Sequence, residues 1–407
     1  MPRFTLTDPG TVYDGRHGSR PHLLDPRGAS PVPEISVMST TTAALTEADN
    51  RRASGLLDFE AYQQTSYFNV LDGLRGLSIG LVLLHHVPSL RLPFLELLQL
   101  NGRYGVDLFF IISGYLICTL FLREEQRWGK IDLLRFYGRR SLRLMPLYYA
   151  VLLFECFMIF GLNQYSPHNQ VLFKEKLPAY LFYYSNWLST ATQGPFFQSW
   201  SLAVEEQFYL AFGLLFLFWR RAVWWVVGAL LLAKVMLFNF SLDTVARLPL
   251  SNVLFSYREP ILMGVLAALL MNRKASYEAL SSVTRHPLAL AGVALATVGW
   301  MCVHSFGFKS GFDAQALYLL MVFIVIGCVS RPDVFPLSHP WLLHVGKISY
   351  AVYLLHMTVI NLVKKGLGDR PVAILVVSTV GSILVASLVH RYFEQPIIRF
   401  YKKRLSH

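Results

Sequence analysis

The sequence predicts an all-α fold: a polytopic transmembrane helical bundle of about ten spans, with both termini on the cytoplasmic side. Three observations predict it. Of 407 residues, 54% are hydrophobic and 15% charged, against roughly 25% charged in an ordinary soluble domain, and mean hydropathy is +0.42. Apolar windows of about twenty residues, the length needed to cross roughly 30 Å of hydrocarbon, recur along the chain. Lys and Arg fall mostly between these windows, where they serve as topology signals. The formal charge of +12 therefore does not point to nucleic acid, which calls for a basic face interleaved with exposed aromatics. The implied partner is the lipid bilayer, and the implied location is a cell membrane, crossed many times.

Residues 1–65 are polar and rich in Pro, Gly, Ser and Thr, without the apolar core of a signal peptide. They read as a disordered N-terminal extension in which Met38 is a candidate start. A transmembrane domain follows over 66–396, then a basic cytoplasmic tail over 397–407. Spans fall near 70–89, 104–122, 145–163, 199–219, 222–239, 253–271, 287–304, 314–330, 341–363 and 371–391. The connection after the second span carries Arg123, Arg127, Lys130, Arg135, Arg139, Arg140 and Arg143, which places it inside. Arg220 and Arg221 mark the inside again, so the short apolar stretch Leu177–Leu188 is expected not to cross. Arg273, Lys274, Arg285, Arg331 and the tail also fall inside, whereas Lys364, Lys365 and Arg370 face outward against the rule. The cysteines Cys118, Cys156, Cys302 and Cys328 lie in apolar runs without zinc or disulfide spacing and read as packed free thiols.

An ionisable side chain in a span costs at least about 2.5 kcal/mol on insertion scales and asks for a partner, a wet cavity or a function. The first span, LDGLRGLSIGLVLLHHV, carries Arg75 near its inner end and His86 eleven residues on. Eleven helical steps bring the two to within about 20° of one face and roughly 16 Å apart along the axis; His85 points about 80° away from Arg75. Asp107, Glu205, Glu206, Arg258 and Glu259 enter near outer span ends, and His356 lies in an outer half. These groups from at least five spans are expected at one outer depth, as a wet catalytic or transport cavity requires; a structural ion-pair network is the alternative. On the inner side, Arg140 and Arg143 are three apart and adjacent on a helix. Such guanidinium forks suit phosphate oxygens, although an arginine cluster on an inner connection is also a plain topology determinant.

The motifs together resemble the membrane acyltransferase-3 family of integral-membrane O-acyltransferases. The segments are LDGLRGLSIGLVLLHHV, GVDLFFIISGYLI (Gly105–Ile117), FYGRRSLRLMPLYY (Phe136–Tyr149), WSLAVEEQFYL (Trp200–Leu210) and ISYAVYLLHMTVI (Ile348–Ile360), in the family's order. The resemblance implies a ten-helix enzyme that moves an acyl group, usually acetyl, from cytoplasmic acyl-CoA to a hydroxyl of an extracytoplasmic carbohydrate or another envelope or secreted acceptor. It implies no permanently bound cofactor and no metal, with acyl-CoA as co-substrate. By the same resemblance His86 is the catalytic histidine, Arg75 its partner, Glu205 the characteristic acid, and Arg139, Arg140 and Arg143 the donor-binding group. His85 stands where the family commonly has an aromatic residue.

The expected mechanism makes His86 the general base, with an acyl-histidine as the variant, Glu205 orienting the ring, and Arg75 or Arg258 offsetting charge on the tetrahedral intermediate. Asp107, Ser113, Glu206, Glu259 and His356 are supporting or acceptor-side candidates. The rival is a proton-coupled secondary transporter, since buried His, Glu and Arg also build proton relays.

Overall fold

Where lipid replaces water, every backbone N–H and C=O must find an internal partner, which leaves helices as the spanning solution for a chain of this pattern. The computed structural model describes residues 55–188, 194–240, 258–284, 286–304, 311–331 and 333–405, all within one unit, Asn50–His407. No strand occurs among the described residues. Met38, Arg285 and the start of the window at 253 lie outside them.

The helices are α1 (Phe59–Gln64), α2 (Asn69–His86), α3 (Pro93–Asn101), α4 (Tyr104–Trp128), α5 (Leu133–Cys156), α6 (Pro167–Leu181), α7 (Ser199–Trp219) and α8 (Val223–Phe240). They continue with α9 (Glu259–Met271), α10 (Lys274–Val283), α11 (Pro287–Val303), α12 (Gly311–Ser330), α13 (Pro340–Lys347), α14 (Ser349–Leu367), α15 (Pro371–Val389) and α16 (Gln395–Leu405). Their ends follow local chemistry. Asp58 and Asp132 cap α1 and α5 by accepting from Ala61 N and Arg135 N at 2.7 and 2.9 Å. Gly129, at φ 67°, ends α4 in the left-handed conformation, and Pro at the first or second position opens α3, α6, α9, α11, α13 and α15.

Five helical runs are long and apolar enough to cross a membrane, or up to seven if each bent pair, α10 with α11 and α13 with α14, is one span. Each of the ten predicted windows coincides with a helix, and three features account for the lower count. Helix α2 is diluted by Asp72, Arg75, His85 and His86. The described part of the 253–271 window gives only the 13-residue α9. The run Ser199–Leu237 passes through a short 3-10 turn at Arg220–Ala222 as one 39-residue unit, so those arginines do not mark the hairpin expected there. The Leu177–Leu188 stretch ends α6 at Leu181 and turns at Ser185–Trp187, and it is not among the crossing candidates.

The predicted extension also ends early. Residues from Gly55 onward fold, with Tyr62 1% exposed in α1 and its hydroxyl 2.6 Å from that of Tyr115. All four cysteines are free.

Glycines set the close packing. Helices α4 and α9 pair intimately because a Cβ on Gly114 would meet the carbonyl of Ile261, and one on Gly264 the carbonyl of Ile111. Helix α2 rests on α13 through Gly346, whose missing side chain admits the Asp72 carbonyl. Outward, α15 exposes Val372, Val376, Val380, Leu384 and Leu388 at four-residue spacing, an apolar stripe on one face. Inside this packing, α2, α4, α5, α7 and α14 surround a cavity with both charged and apolar walls.

Candidate active site

The cavity, with about 650 Å³ of empty space including the open solvent at its mouth, is lined by Arg75 of α2, Ser113 of α4, Arg140 and Arg143 of α5, Glu205 and Tyr209 of α7, and Tyr353 of α14, among others. Arg140 and Arg143 reach it together because three residues complete most of a turn; Arg139 is exposed and does not line it. Arg140 lies 4.5 Å over the Tyr209 ring and donates to its hydroxyl at 3.3 Å. Tyr209 in turn donates to Glu205 Oε2 at 2.9 Å, and Ser113 donates to Glu205 Oε1 at 2.8 Å. Glu206 stands beside Glu205 within electrostatic reach of Arg140. Arg75 pairs with Asp72 at 3.6 Å, and Asp72 accepts from Tyr67. The Tyr67 hydroxyl, just outside the helix, is held above the ordinary phenol range by burial and then by Asp72, so it stays a donor. Arg143 makes no hydrogen bond or ion pair among the described residues, although Arg75, Arg140, Asp72 and Glu394 act on it electrostatically. Three guanidiniums thus face a space that also holds Glu205, whose two oxygens accept from Ser113 and Tyr209.

The second cluster is imidazole. His86 and His356 lie with ring centroids 4.9 Å apart at 69°, and Phe197 packs on His86 at 5.8 Å. His86 Nδ1 is 2.8 Å from the Val82 carbonyl and His356 Nδ1 2.6 Å from that of Tyr353. A carbonyl only accepts, so each Nδ1 carries the proton and each neutral ring keeps a lone pair on Nε2. His356 is fully buried, and its Nε2 has no hydrogen-bond partner among the described residues. His85 turns away, with Nδ1 2.8 Å from the Gln99 carbonyl.

The third cluster holds Asp107, Arg258 and Glu259. Arg258 Nη2 is 3.2 Å from Asp107 Oδ1 and lies 5.2 Å from the Trp200 ring centroid. Asp107 and Glu259 are buried, and Glu259 acts electrostatically on Lys234 of α8.

The single outer layer expected from sequence is therefore three clusters. Glu205 does not orient His86, because both of its oxygens serve Ser113 and Tyr209. Arg75 does not contact His86; it joins the arginine cavity, roughly 16 Å along the helix. Sequence reasoning also missed Tyr209 and Tyr353, each within a quoted motif. Their signal was spacing: Tyr209 follows Glu205 by four residues and Tyr353 precedes His356 by three, which puts each pair on one helical face.

A helical membrane bundle that sets a guanidinium-lined cavity beside two imidazole lone pairs belongs to a class equipped for group transfer. Residues 68–391 match the acyltransferase-3 family, described as an acyltransferase domain, and the chain belongs to that family. It is 28% identical over 360 residues to the O-acetyltransferase OatA of Staphylococcus aureus strain NCTC 8325 / PS 47, covering 81% of this chain and 57% of that protein. The OatA of Staphylococcus aureus strain COL matches with the same identity and coverage. The chain thus spans 57% of the length of these curated relatives. No solved structure matches it.

Proposed function

We propose that this protein is an integral-membrane O-acyltransferase that takes an acetyl group from cytoplasmic acetyl-CoA and delivers it to a hydroxyl of an extracytoplasmic carbohydrate or similar envelope acceptor. The observation that carries the reading is the cavity where Arg75, Arg140 and Arg143 converge, with Arg143 making no hydrogen bond or ion pair among the described residues. Guanidiniums with free donors suit the phosphates of a CoA-type donor. The roughly 16 Å rise from Arg75 to His86 is comparable to an extended pantetheine arm, so phosphates held by the arginines leave the thioester near the imidazole pair.

In the proposed reaction the acceptor oxygen bonds to the thioester carbonyl carbon and the C–S bond breaks. The hydroxyl proton goes to His86 Nε2 and from there to the departing thiolate. The Val82 carbonyl supports this role, since it holds Nδ1–H and stabilises the ring once it is doubly protonated. Glu205, tied to Tyr209, fixes the Arg140 side of the donor cavity rather than the base. Release of CoA thiol by the purified protein, given acetyl-CoA and extracted envelope glycan, tests the reading. Thiol release that depends on the glycan supports it, and glycan flux without CoA release favours the transporter.

A further inference from the structure

We propose that Tyr353 is a gate, the side chain that shuts the donor cavity off from the His86–His356 pair and turns aside to admit the thioester. The proposal rests on the acyl-transfer reading above.

Tyr353 lines the cavity and is only 7% exposed. Its hydroxyl accepts from Ser201 Oγ at 2.7 Å and donates to the Gln198 carbonyl at 3.1 Å. Its ring lies 5.6 Å from that of His356, which stands 4.9 Å from His86. His86 itself does not line the cavity. One tyrosine therefore borders both the donor space and the His356 ring.

The surroundings are built for a side-chain motion rather than a helix motion. The Gln198 amide donates to the Leu354 carbonyl at 3.2 Å, and His356 Nδ1 holds the Tyr353 carbonyl at 2.6 Å. The backbone is clamped from both directions, whereas the ring is latched only through its hydroxyl, by two neutral hydrogen bonds. Turning the ring breaks those two and leaves the clamps intact.

Such a barrier has a chemical use. A thioester resting against a base in a wet site is hydrolysed: the water oxygen bonds to the carbonyl carbon, the C–S bond breaks, one water proton passes through His86 to the thiolate, and acetic acid and CoA thiol result. Keeping the thioester behind Tyr353 until the acceptor is seated suppresses that loss.

The test uses the full chain in detergent with acetyl-CoA. Tyr353→Phe, which removes both latch hydrogen bonds, and Ser201→Ala, which removes one, keep the packing and should raise acceptor-independent CoA release, by about three- to tenfold for Tyr353→Phe and less for Ser201→Ala. Tyr353→Trp, which fills the passage, should cut acetyl transfer to extracted envelope glycan by more than about tenfold, with a much smaller change in acetyl-CoA affinity. Unchanged hydrolysis in both latch variants, or wild-type transfer by Tyr353→Trp, overturns the gate. If Tyr353→Trp fails to bind acetyl-CoA, the two latch variants decide. Wild-type protein that releases no CoA with glycan overturns the acyl-transfer reading and the gate with it; wild-type turnover with insensitive variants overturns the gate alone.

Discussion

The arginine cavity and the imidazole pair share two helices, α2 and α14, yet they handle charge in opposite ways. The cavity gathers permanent cations and leaves donors free, with Arg143 unpaired among the described residues and Glu205 occupied by Ser113 and Tyr209. The imidazole pair holds no carboxylate partner; each ring is fixed by one backbone carbonyl, and its second nitrogen is left open. A fixed positive field suits grip on an anionic donor, and a lone pair held in one tautomer suits proton transfer. On the proposed function, the difference teaches that binding and chemistry are separable, about eleven helical residues apart on α2.

The sharpest way to break that comparison is to remove the proposed base. His86→Ala should lower turnover by about 10²–10⁴-fold, the usual worth of a positioned general base, and leave acetyl-CoA affinity near wild type. Thiol release and equilibrium binding of acetyl-CoA on the same sample check it. A matching loss of affinity would mean that the two regions are one site.

Asp107 sharpens it from the other side, as a control outside both regions. Asp107 is buried but the Arg258 side chain is 35% exposed, so Asp107→Ala leaves a partly solvated guanidinium without its partner and should cost about 1.5–3 kcal/mol of stability. Thermal unfolding in detergent should show the loss, while protein that remains folded should bind acetyl-CoA as before. A selective loss of turnover without destabilisation would move this cluster into the reaction.

Arg143→Ala probes the cavity directly. Charge-assisted hydrogen bonds are worth about 1.5–3 kcal/mol each, so the acetyl-CoA dissociation constant should rise by about 10- to 150-fold with turnover at saturation little changed. Arg139→Ala, whose side chain is exposed and does not line the cavity, should leave the constant within about twofold.

Much of this arrangement was legible in the sequence, and the failures share one cause. The apolar windows located the helices, and three-residue spacing paired Arg140 with Arg143. Depth along a helix was also readable, so Arg75 and His86 were correctly spaced along one helix. Rotation about the axis and tilt between helices were not. Glu205 was therefore assigned to His86 by depth, although its face meets Ser113 and Tyr209. Aromatic residues at helical spacing look like core, which hid Tyr209 and Tyr353. The count of crossing helices suffered similarly, since composition alone does not reveal that Arg220–Ala222 is passed without a reversal. Asp72, three residues before Arg75, was a visible partner passed over in favour of the more distant histidine.

The smallest expected effect tests how rigid the cavity must be. Among the described residues the Tyr209 hydroxyl is the hydrogen-bonded link between Arg140 and Glu205, accepting from one and donating to the other. Tyr209→Phe keeps the ring under the Arg140 guanidinium and removes both hydrogen bonds, so the cation–π contact survives. The net loss should be about 1 kcal/mol, a roughly fivefold weakening of acetyl-CoA binding, with the response of turnover to His86 substitution unchanged. Affinity equal to wild type would show that Arg140 is held by its aromatic contact alone, and that Glu205 serves something other than the alignment of the donor cations.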